Sequence, residues 1–370
     1  MAEVLDLSPD PHDVVHRAVE ALADGQLVAF PTETVYGIAA SARLPEAVEQ
    51  LRKGKGRPEG KPLTLAIAQA SQALDWVPDM SPLGQRLARR CWPGPVTLVL
   101  RVDTEHAFAG RLPESVRRRV CPEGNLGLRV PDHEIILEAL RRLPDPVVLT
   151  SANRSGETAA TTAEEVVQAL GDEVALVIDG GPTRYGQPST VVQVNGNSWK
   201  MLRQGVVSEA DLKRQAAKLI LFVCTGNTCR SPMAEALCKK LLAGQLGCAA
   251  EELLERGFIV LSAGLAALTG DGAAPEAIEA AGELGVDLTG HVSRLLTPGL
   301  AAQADLVIAM THSHVLALAS RFPDLESRLR LLSPDGEELP DPIGCEPAVY
   351  RECARQILNC LQKLLPELSE

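Results

Sequence analysis

Residues 219–233 read Leu219-Ile220-Leu221-Phe222-Val223-Cys224-Thr225-Gly226-Asn227-Thr228-Cys229-Arg230-Ser231-Pro232-Met233. The run opens on six apolar residues, the right length for a strand buried on both faces. It closes on Ser231-Pro232, and a proline in the first turn suits a helix start, where its missing N–H has no partner to lose. A short polar loop with one glycine lies between. A buried strand feeding a helix through such a loop is the unit of a doubly wound parallel sheet, whose ligands sit at the C-terminal ends of the strands. Apolar runs recur at 258–261, 306–310 and 329–332, separated by helix-length segments. Residues 218–370 are therefore expected to form an α/β domain with a doubly wound parallel sheet.

The loop carries chemistry as well as a turn. Cys224 and Arg230 stand in Cys-x5-Arg spacing between strand and helix. Consecutive backbone N–H groups of a glycine-containing loop suit an anion nest, and the helix N-terminus adds partial positive charge. The planar fork of Arg230 can bridge two phosphoryl oxygens. The same field favours a Cys224 thiolate, the attacking form of cysteine, and Ser231 is placed to hydrogen-bond its sulfur. Displacement at phosphorus also needs an acid for the leaving group, and Asp341, in Glu338-Leu339-Pro340-Asp341-Pro342-Ile343-Gly344, is the candidate. Asp-Pro alone is an ordinary turn. Strand, glycine, arginine, serine and helix start in one register are not.

The first 205 residues follow another pattern. Short β-rich runs at 27–30, 63–67, 96–100, 126–130, 147–149, 175–178 and 190–194 alternate with helix-length stretches. Pro93-Gly94-Pro95, Gly180-Gly181-Pro182 and Asn195-Gly196 punctuate them, and a mixed α/β domain with a large sheet is expected. After the first run comes Pro31-Thr32-Glu33-Thr34-Val35-Tyr36-Gly37, whose hydroxyls can line a polar pocket. Lys53-Gly54-Lys55-Gly56-Arg57-Pro58-Glu59-Gly60-Lys61 then sets four cations among three glycines. Cations beside close-approach backbone suit a pyrophosphate or triphosphate, with a solvated charged loop as the other reading. If Lys55 and Arg57 are exposed, removing either should cost activity and little stability. No Gly-x4-Gly-Lys-Ser/Thr loop occurs. Residues 206–217 are polar and helix-prone and read as a connector between a first domain, 1–205, and a second, 218–370.

Composition sets outer bounds. The 370 residues carry a net charge of −12, which excludes a broad, non-specific nucleic-acid surface and leaves room for a local basic pocket. Aromatics at 3% provide no stacking platform for single strands. The longest apolar run is far short of the roughly 20 residues of a membrane span, and no signal peptide opens the chain, so no membrane partner and a cytoplasmic location are expected. Nine cysteines without Cys-x-x-Cys suit free thiols, and the histidines are scattered, so no structural metal site is expected.

On the loop 224–231, on Ser262-Ala263-Gly264 and on Ala304-Asp305-Leu306-Val307-Ile308-Ala309-Met310-Thr311, residues 218–370 resemble the low-molecular-weight protein phosphatase family. The resemblance implies Cys224 as nucleophile, Arg230 as transition-state clamp and Asp341 as general acid, then base. Thr225, Gly226, Asn227, Thr228, Cys229 and Ser231 would complete the phosphate loop, with a phosphorylated protein as substrate and no cofactor. Members acting on phosphotyrosine carry a bulky aliphatic residue at the Thr228 position and aromatics after Asp-Pro. Thr228 looks like the protein arginine phosphatases, although Ile343 stands where that branch too has an aromatic. A phosphotyrosine phosphatase and an arsenate reductase-like domain stay as alternatives. The latter needs a further cysteine where Met310-Thr311-His312-Ser313-His314 stands. Cys229 is either a reversible oxidative partner of Cys224 or a packed thiol.

The turn at 30–37, the cation–glycine loop, Trp92-Pro93-Gly94-Pro95, Leu128-Arg129-Val130-Pro131, Thr150-Ser151-Ala152-Asn153 and Pro188-Ser189-Thr190 together resemble the YrdC-like threonylcarbamoyl-AMP synthase family. That resemblance implies a twisted open α/β fold with a deep, positive cavity. It implies that L-threonine, bicarbonate and ATP, with Mg²⁺, give threonylcarbamoyl-adenylate and pyrophosphate for t6A modification of tRNA, alongside partner proteins of that pathway. Thr34 and Arg129 would hold threonine. Lys55, Arg57, Lys61, Ser151, Asn153, Ser189 and Arg203 would hold the nucleotide. Pro188 stands where the family usually has an acidic residue. A module that binds nucleotide or RNA without turnover is the alternative. The whole chain then reads as a bifunctional enzyme.

Overall fold

Two units, divided after Gln215, make up the computed structural model, which describes residues 2–7 and 10–369. In the first unit the strands are β1 (Glu3–Asp6), β2 (Val28–Phe30), β3 (Gly37–Ser41), β4 (Thr64–Ala66), β5 (Val96–Arg101), β6 (Asn125–Arg129), β7 (Val147–Ser151), β8 (Leu176–Asp179), β9 (Thr190–Asn195) and β10 (Ser198–Arg203). They join one sheet in the order β1-β8-β2-β3-β7-β4-β6-β5-β9-β10. Parallel pairs such as β4–β6 and β5–β9 are interleaved with antiparallel ones such as β3–β7 and β5–β6. The sheet is mixed, as expected for this half.

The seven expected runs all form strands, as β2 and β4 to β9. The other three escaped the pattern for physical reasons. β3 is buried at every position and built of small residues, so no alternation marks it. Its first residue is glycine, and a Cβ there would lie 2.8 Å from Leu149 Cδ1 on neighbouring β7, so a larger residue would have to displace that side chain. β10 is a largely exposed edge strand, folded back on β9 by the Asn195-Gly196 turn, where Gly196 takes φ 57°. β1 lies at the opposite edge. One face of the sheet is covered by the helix Pro11–Ala23, capped by Asp10, whose carboxylate accepts the His12 N–H at 2.9 Å. That helix buries Val14, Val15, Ala18 and Leu22 in one cluster with Val28, Phe30, Leu149 and Ile178. Each buried Val or Leu there contributes about 1.5–3 kcal/mol.

What positions the site is where these strands end. The 31–36 turn joins β2 to β3, and the helix Pro45–Gly54 runs out into the cation–glycine loop before β4. Arg129, Ser151 and Arg203 are the last residues of β6, β7 and β10. All of them open on one cavity.

In the second unit β11 (Lys218–Cys224), β12 (Phe258–Gly264), β13 (Leu306–Ala309) and β14 (Leu329–Leu331) form a parallel sheet in the order β12-β11-β13-β14. β11 is an inner strand, which is why its sequence is apolar without alternation. Ile220, Phe222 and Cys224 pack with Met233, Ala277 and Ile357, from the helices Arg230–Leu246, Pro275–Glu283 and Pro347–Ser369. Leu219, Leu221 and Val223 point the other way, onto Ala301 and Leu318 of the helices Pro298–Gln303 and His312–Arg321. Helices on both faces make this a doubly wound sheet. Among the described residues no helix is long and apolar enough to cross a membrane, and the nine cysteines are free.

Candidate active sites

A cavity of about 920 Å³ in the first unit gathers residues far apart in the chain: Lys55, Arg57, Lys61, Arg129, Ser151, Asn153, Ser189 and Arg203 all line it. Thr34 does not form part of its wall. Fully buried, it stands behind Arg129, accepting a 2.7 Å hydrogen bond from Nη2, and its hydroxyl lies 2.9 Å from that of Thr32, which takes the wall position.

The cations are already anchored. Arg57 donates to Thr150 Oγ1 at 3.3 Å and to the Pro62 carbonyl. Arg203 donates to the Ser189 carbonyl at 2.8 Å and to its Oγ at 3.2 Å, and Ser189 Oγ lies 3.0 Å from Thr97 Oγ1. Burial holds both guanidinium groups below the ordinary arginine value, helped by repulsion from Arg203 in one case and Arg129 in the other. Mutually repelling cations around one space are stabilised by whatever anion enters it.

Lys55 corrects an expectation. It is 3% exposed rather than solvated. Its Nζ lies 2.6 Å from the carbonyls of Ser151 and Asn153, 2.9 Å from Asn153 Oδ1 and 3.2 Å from Ser151 Oγ. The ammonium therefore folds the 151–153 segment around itself, and truncating it leaves buried carbonyls unpaired. None of its four acceptors carries a formal charge. Burial first, then Arg57 and Lys61, push its pKa down to about 7.

In the second unit the register of β11 on β12 sets Cys224 opposite Gly264. A Cβ at Gly264 would come within 2.6 Å of the Thr225 carbonyl, so only glycine lets β12 support the loop this closely. Cys224 Sγ lies 3.0 Å from Ser231 Oγ and accepts the Asn227 N–H at 3.2 Å. Asn227 adopts φ 56°, the left-handed region, and is wholly buried. Its side chain holds that turn: Nδ2 donates to Ser231 Oγ (2.9 Å) and Ser262 Oγ (2.8 Å), and Oδ1 accepts the Arg294 N–H at 2.8 Å. Arg230 begins the helix, donates to the Leu339 carbonyl at 3.1 Å and pairs with the Asp341 carboxylate. Its Nε is buried without a partner and so can donate to an oxygen that enters the site. Cys224 and Arg230 thus stand at the strand's C-terminal end, with Asp341 paired to Arg230. Cys229 Sγ lies 3.7 Å from Tyr350 Oη, and burial pushes its thiol pKa up.

The Sua5/YciO/YrdC family model, described as telomere recombination, matches residues 20–205, half of the chain. The chain belongs to that family. Its second unit is matched over residues 219–370 by the low-molecular-weight phosphotyrosine protein phosphatase model. The threonylcarbamoyl-AMP synthase of Bacillus subtilis is 34% identical over 199 residues, covering 54% of this chain and 55% of that protein. The chain spans about half the length of that relative and of the Pyrococcus abyssi synthase. In fold it is similar to P. abyssi Sua5 complexed with L-threonine, with a TM-score of 0.52 at 23% identity, over 71% of this chain and 92% of that one. The YwlE arginine phosphatase of Geobacillus stearothermophilus is 34% identical over 41% of this chain and 92% of that one, with a TM-score of 0.36.

Within the Sua5/YciO/YrdC unit, reasoning from sequence passed over Glu33. Its carboxylate is wholly buried, pairs with Arg129 Nη2 at 2.7 Å and accepts the Asp132 N–H at 2.9 Å. Arg129 is thereby aimed, while its Nε keeps no partner. Tyr36 was passed over too: its hydroxyl donates to the Gly181 carbonyl at 2.8 Å, and burial pushes its pKa up to about 12. In the second unit Glu235, His291 and His314 all brace the loop or its supports. Ser262 donates to Glu235 at 2.6 Å, His291 Nε2 lies 2.8 Å from the Asn227 carbonyl, and His314 Nε2 lies 2.9 Å from Thr225 Oγ1. A carboxylate between two threonines and a histidine between serine and valine carry no local mark of such partners.

Proposed function

We propose that the chain is a bifunctional enzyme. The first unit joins L-threonine, bicarbonate and ATP into threonylcarbamoyl-adenylate and pyrophosphate, for t6A modification of tRNA together with partner proteins. The observation that carries this reading is the single cavity lined by buried Arg129 together with Lys55, Arg57, Lys61 and Arg203. Arg129, steadied by Glu33 and Thr34, suits the amino acid's carboxylate. The cation cluster suits a triphosphate, with Ser151, Asn153 and Ser189 as polar walls. Catalysis is positioning plus neutralisation of charge on the α-phosphate and the departing pyrophosphate. Mg²⁺ would enter as part of the MgATP substrate, held through the phosphates.

The second unit, on this reading, dephosphorylates protein phosphoarginine in a reducing, cytoplasmic setting that suits its free thiols. The Cys224 thiolate attacks phosphorus, Asp341 protonates the departing nitrogen, and a cysteinyl-phosphate forms. Asp341 then draws a proton from water, which attacks phosphorus and returns the thiolate with release of phosphate. Arg230 and the loop N–H groups hold the equatorial oxygens throughout. Supporting the arginine substrate are Thr228 in the loop and Ile343, an exposed aliphatic residue that offers a phosphotyrosine ring nothing to stack on.

One preparation tests both. Pyrophosphate release that requires threonine and bicarbonate together supports the first activity, and ATP binding without release leaves only a binding module. Phosphate release from phosphoarginyl protein supports the second, and Cys224→Ser should abolish it while pyrophosphate release continues. A preference for phosphotyrosine would overturn the arginine assignment.

A further inference from the structure

His314 is a buried imidazole, 6% exposed, that the chemistry above does not use. It belongs to the first turn of the helix His312–Arg321 and reaches the residue next to the nucleophile: its Nε2 lies 2.9 Å from Thr225 Oγ1. Its Nδ1 lies 2.9 Å from Thr311 Oγ1. Thr311 Oγ1 also accepts the His314 backbone N–H and lies 2.8 Å from Ser313 Oγ. Thr225, unlike His314, is exposed. A hydroxyl at the mouth of a phosphate loop is thus tied to a buried ring with one lone pair to offer.

We propose that His314 and Thr225 form a specificity device for N-phosphorylated guanidine groups, His314 accepting the Thr225 proton so that the Thr225 oxygen presents only lone pairs outward. This deepens the reading of the second unit as a phosphatase for phosphoarginine and rests on it. A phosphoguanidine differs from a phosphate ester in carrying N–H donors on and beside the bridging nitrogen. An oxygen held as an acceptor one residue from the nucleophile meets those donors. An ester brings none and leaves the same oxygen to water, so the phosphoguanidine gains a contact that the ester lacks. His314 touches no substrate and is a positioning residue; Thr225 makes the contact.

The device needs a neutral imidazole, since a protonated ring donates from both nitrogens and turns the Thr225 proton outward. The groups facing His314 are Arg230 from the helix Arg230–Leu246, and Glu338 and Asp341 from the loop after β14. Burial and Arg230 hold its pKa below the ordinary histidine value, against the two carboxylates, which favours the neutral form at pH 7.

The test is the ratio of kcat/KM on a phosphoarginyl peptide to that on p-nitrophenyl phosphate, measured with the full chain. His314→Leu should lower that ratio about tenfold, the value of one lost hydrogen bond to a charged group. His314→Gln, whose amide can still meet Thr225, should restore it to within about threefold, and Thr225→Val should lower it again. In the wild type the ratio should fall as pH drops below 6.5, and His314→Gln should lack that slope. A ratio unmoved in His314→Leu overturns the proposal. If that variant does not fold, a wild-type ratio that is flat with pH, or a slope kept in His314→Gln, overturns it equally. A wild type that cleaves the aryl phosphate and never phosphoarginine instead removes the substrate reading beneath it.

Discussion

ATP binding to the first unit should draw a proton from solution, and Lys55 is the reason. Its pKa stands at about 7 in the free protein because the ammonium is buried among neutral acceptors and faces Arg57 and Lys61. At pH 8 only about a tenth of such a group is protonated. A polyphosphate seated on Arg57 and Lys61 cancels their repulsion and adds attraction. One phosphate charge about 6 Å away at an effective dielectric constant of about 20 contributes about 2.8 kcal/mol, or about two pKa units. The bound-state value is then near 9, about nine tenths of the ammonium is formed, and uptake is about 0.8 proton per ATP. At pH 8 the nucleotide itself is fully ionised and contributes little of opposite sign. The assay is calorimetric titration with ATP, threonine withheld, in two buffers of different ionisation enthalpy. Lys55→Met should show no uptake, and Lys55→Arg, charged at every pH, should bind ATP without it. Tight ATP binding with no uptake in the wild type, or the same uptake in Lys55→Met, would refute the assignment of Lys55 to the phosphate site.

The same group shapes stability. Its folded-state pKa lies below its unfolded value, so the unfolded chain binds more protons between pH 7 and 10.5, and wild-type unfolding free energy should rise with pH through that window more steeply than in Lys55→Met, by chemical denaturation. Glu33→Gln keeps the shape but removes the charge opposite buried Arg129, and should lower stability by about 3 kcal/mol while raising KM for threonine more than KM for ATP. Asp341→Asn should lower kcat on phosphoarginine with KM nearly unchanged, because the acid acts only as the leaving group departs; an equal rise in KM would assign Asp341 to binding through its pair with Arg230. Thr228→Ile should cut phosphoarginine turnover sharply and raise phosphotyrosine turnover only in part, since Ile343 still provides no ring, and kcat/KM on both substrates measures it.

Much of this molecule is written locally. β11 shows as an unbroken apolar run because an inner parallel strand is buried on both faces, and Cys224 and Arg230 keep their spacing because one strand end and one helix start fix it. Glycines and cations side by side mark the 53–61 loop for the same reason: they lie within a few bonds of one another. β3 and β10 were harder to see, the one too small and too buried to alternate, the other an edge strand with little to bury.

The partners that tune these groups come from far along the chain. Glu33 meets Arg129 because β2 and β6 belong to one sheet, 96 residues apart. Lys55 finds its carbonyl cage 96 and 98 residues away, Arg230 finds Asp341 after 111, and Thr225 finds His314 after 89. Residue type states what a side chain can donate, accept or titrate. Whether it does so depends on how much water surrounds it and which group stands opposite, and strand order sets both. Hence Lys55 reads in the sequence as one cation of a glycine-rich charged loop and in the fold as a buried ammonium poised near neutrality.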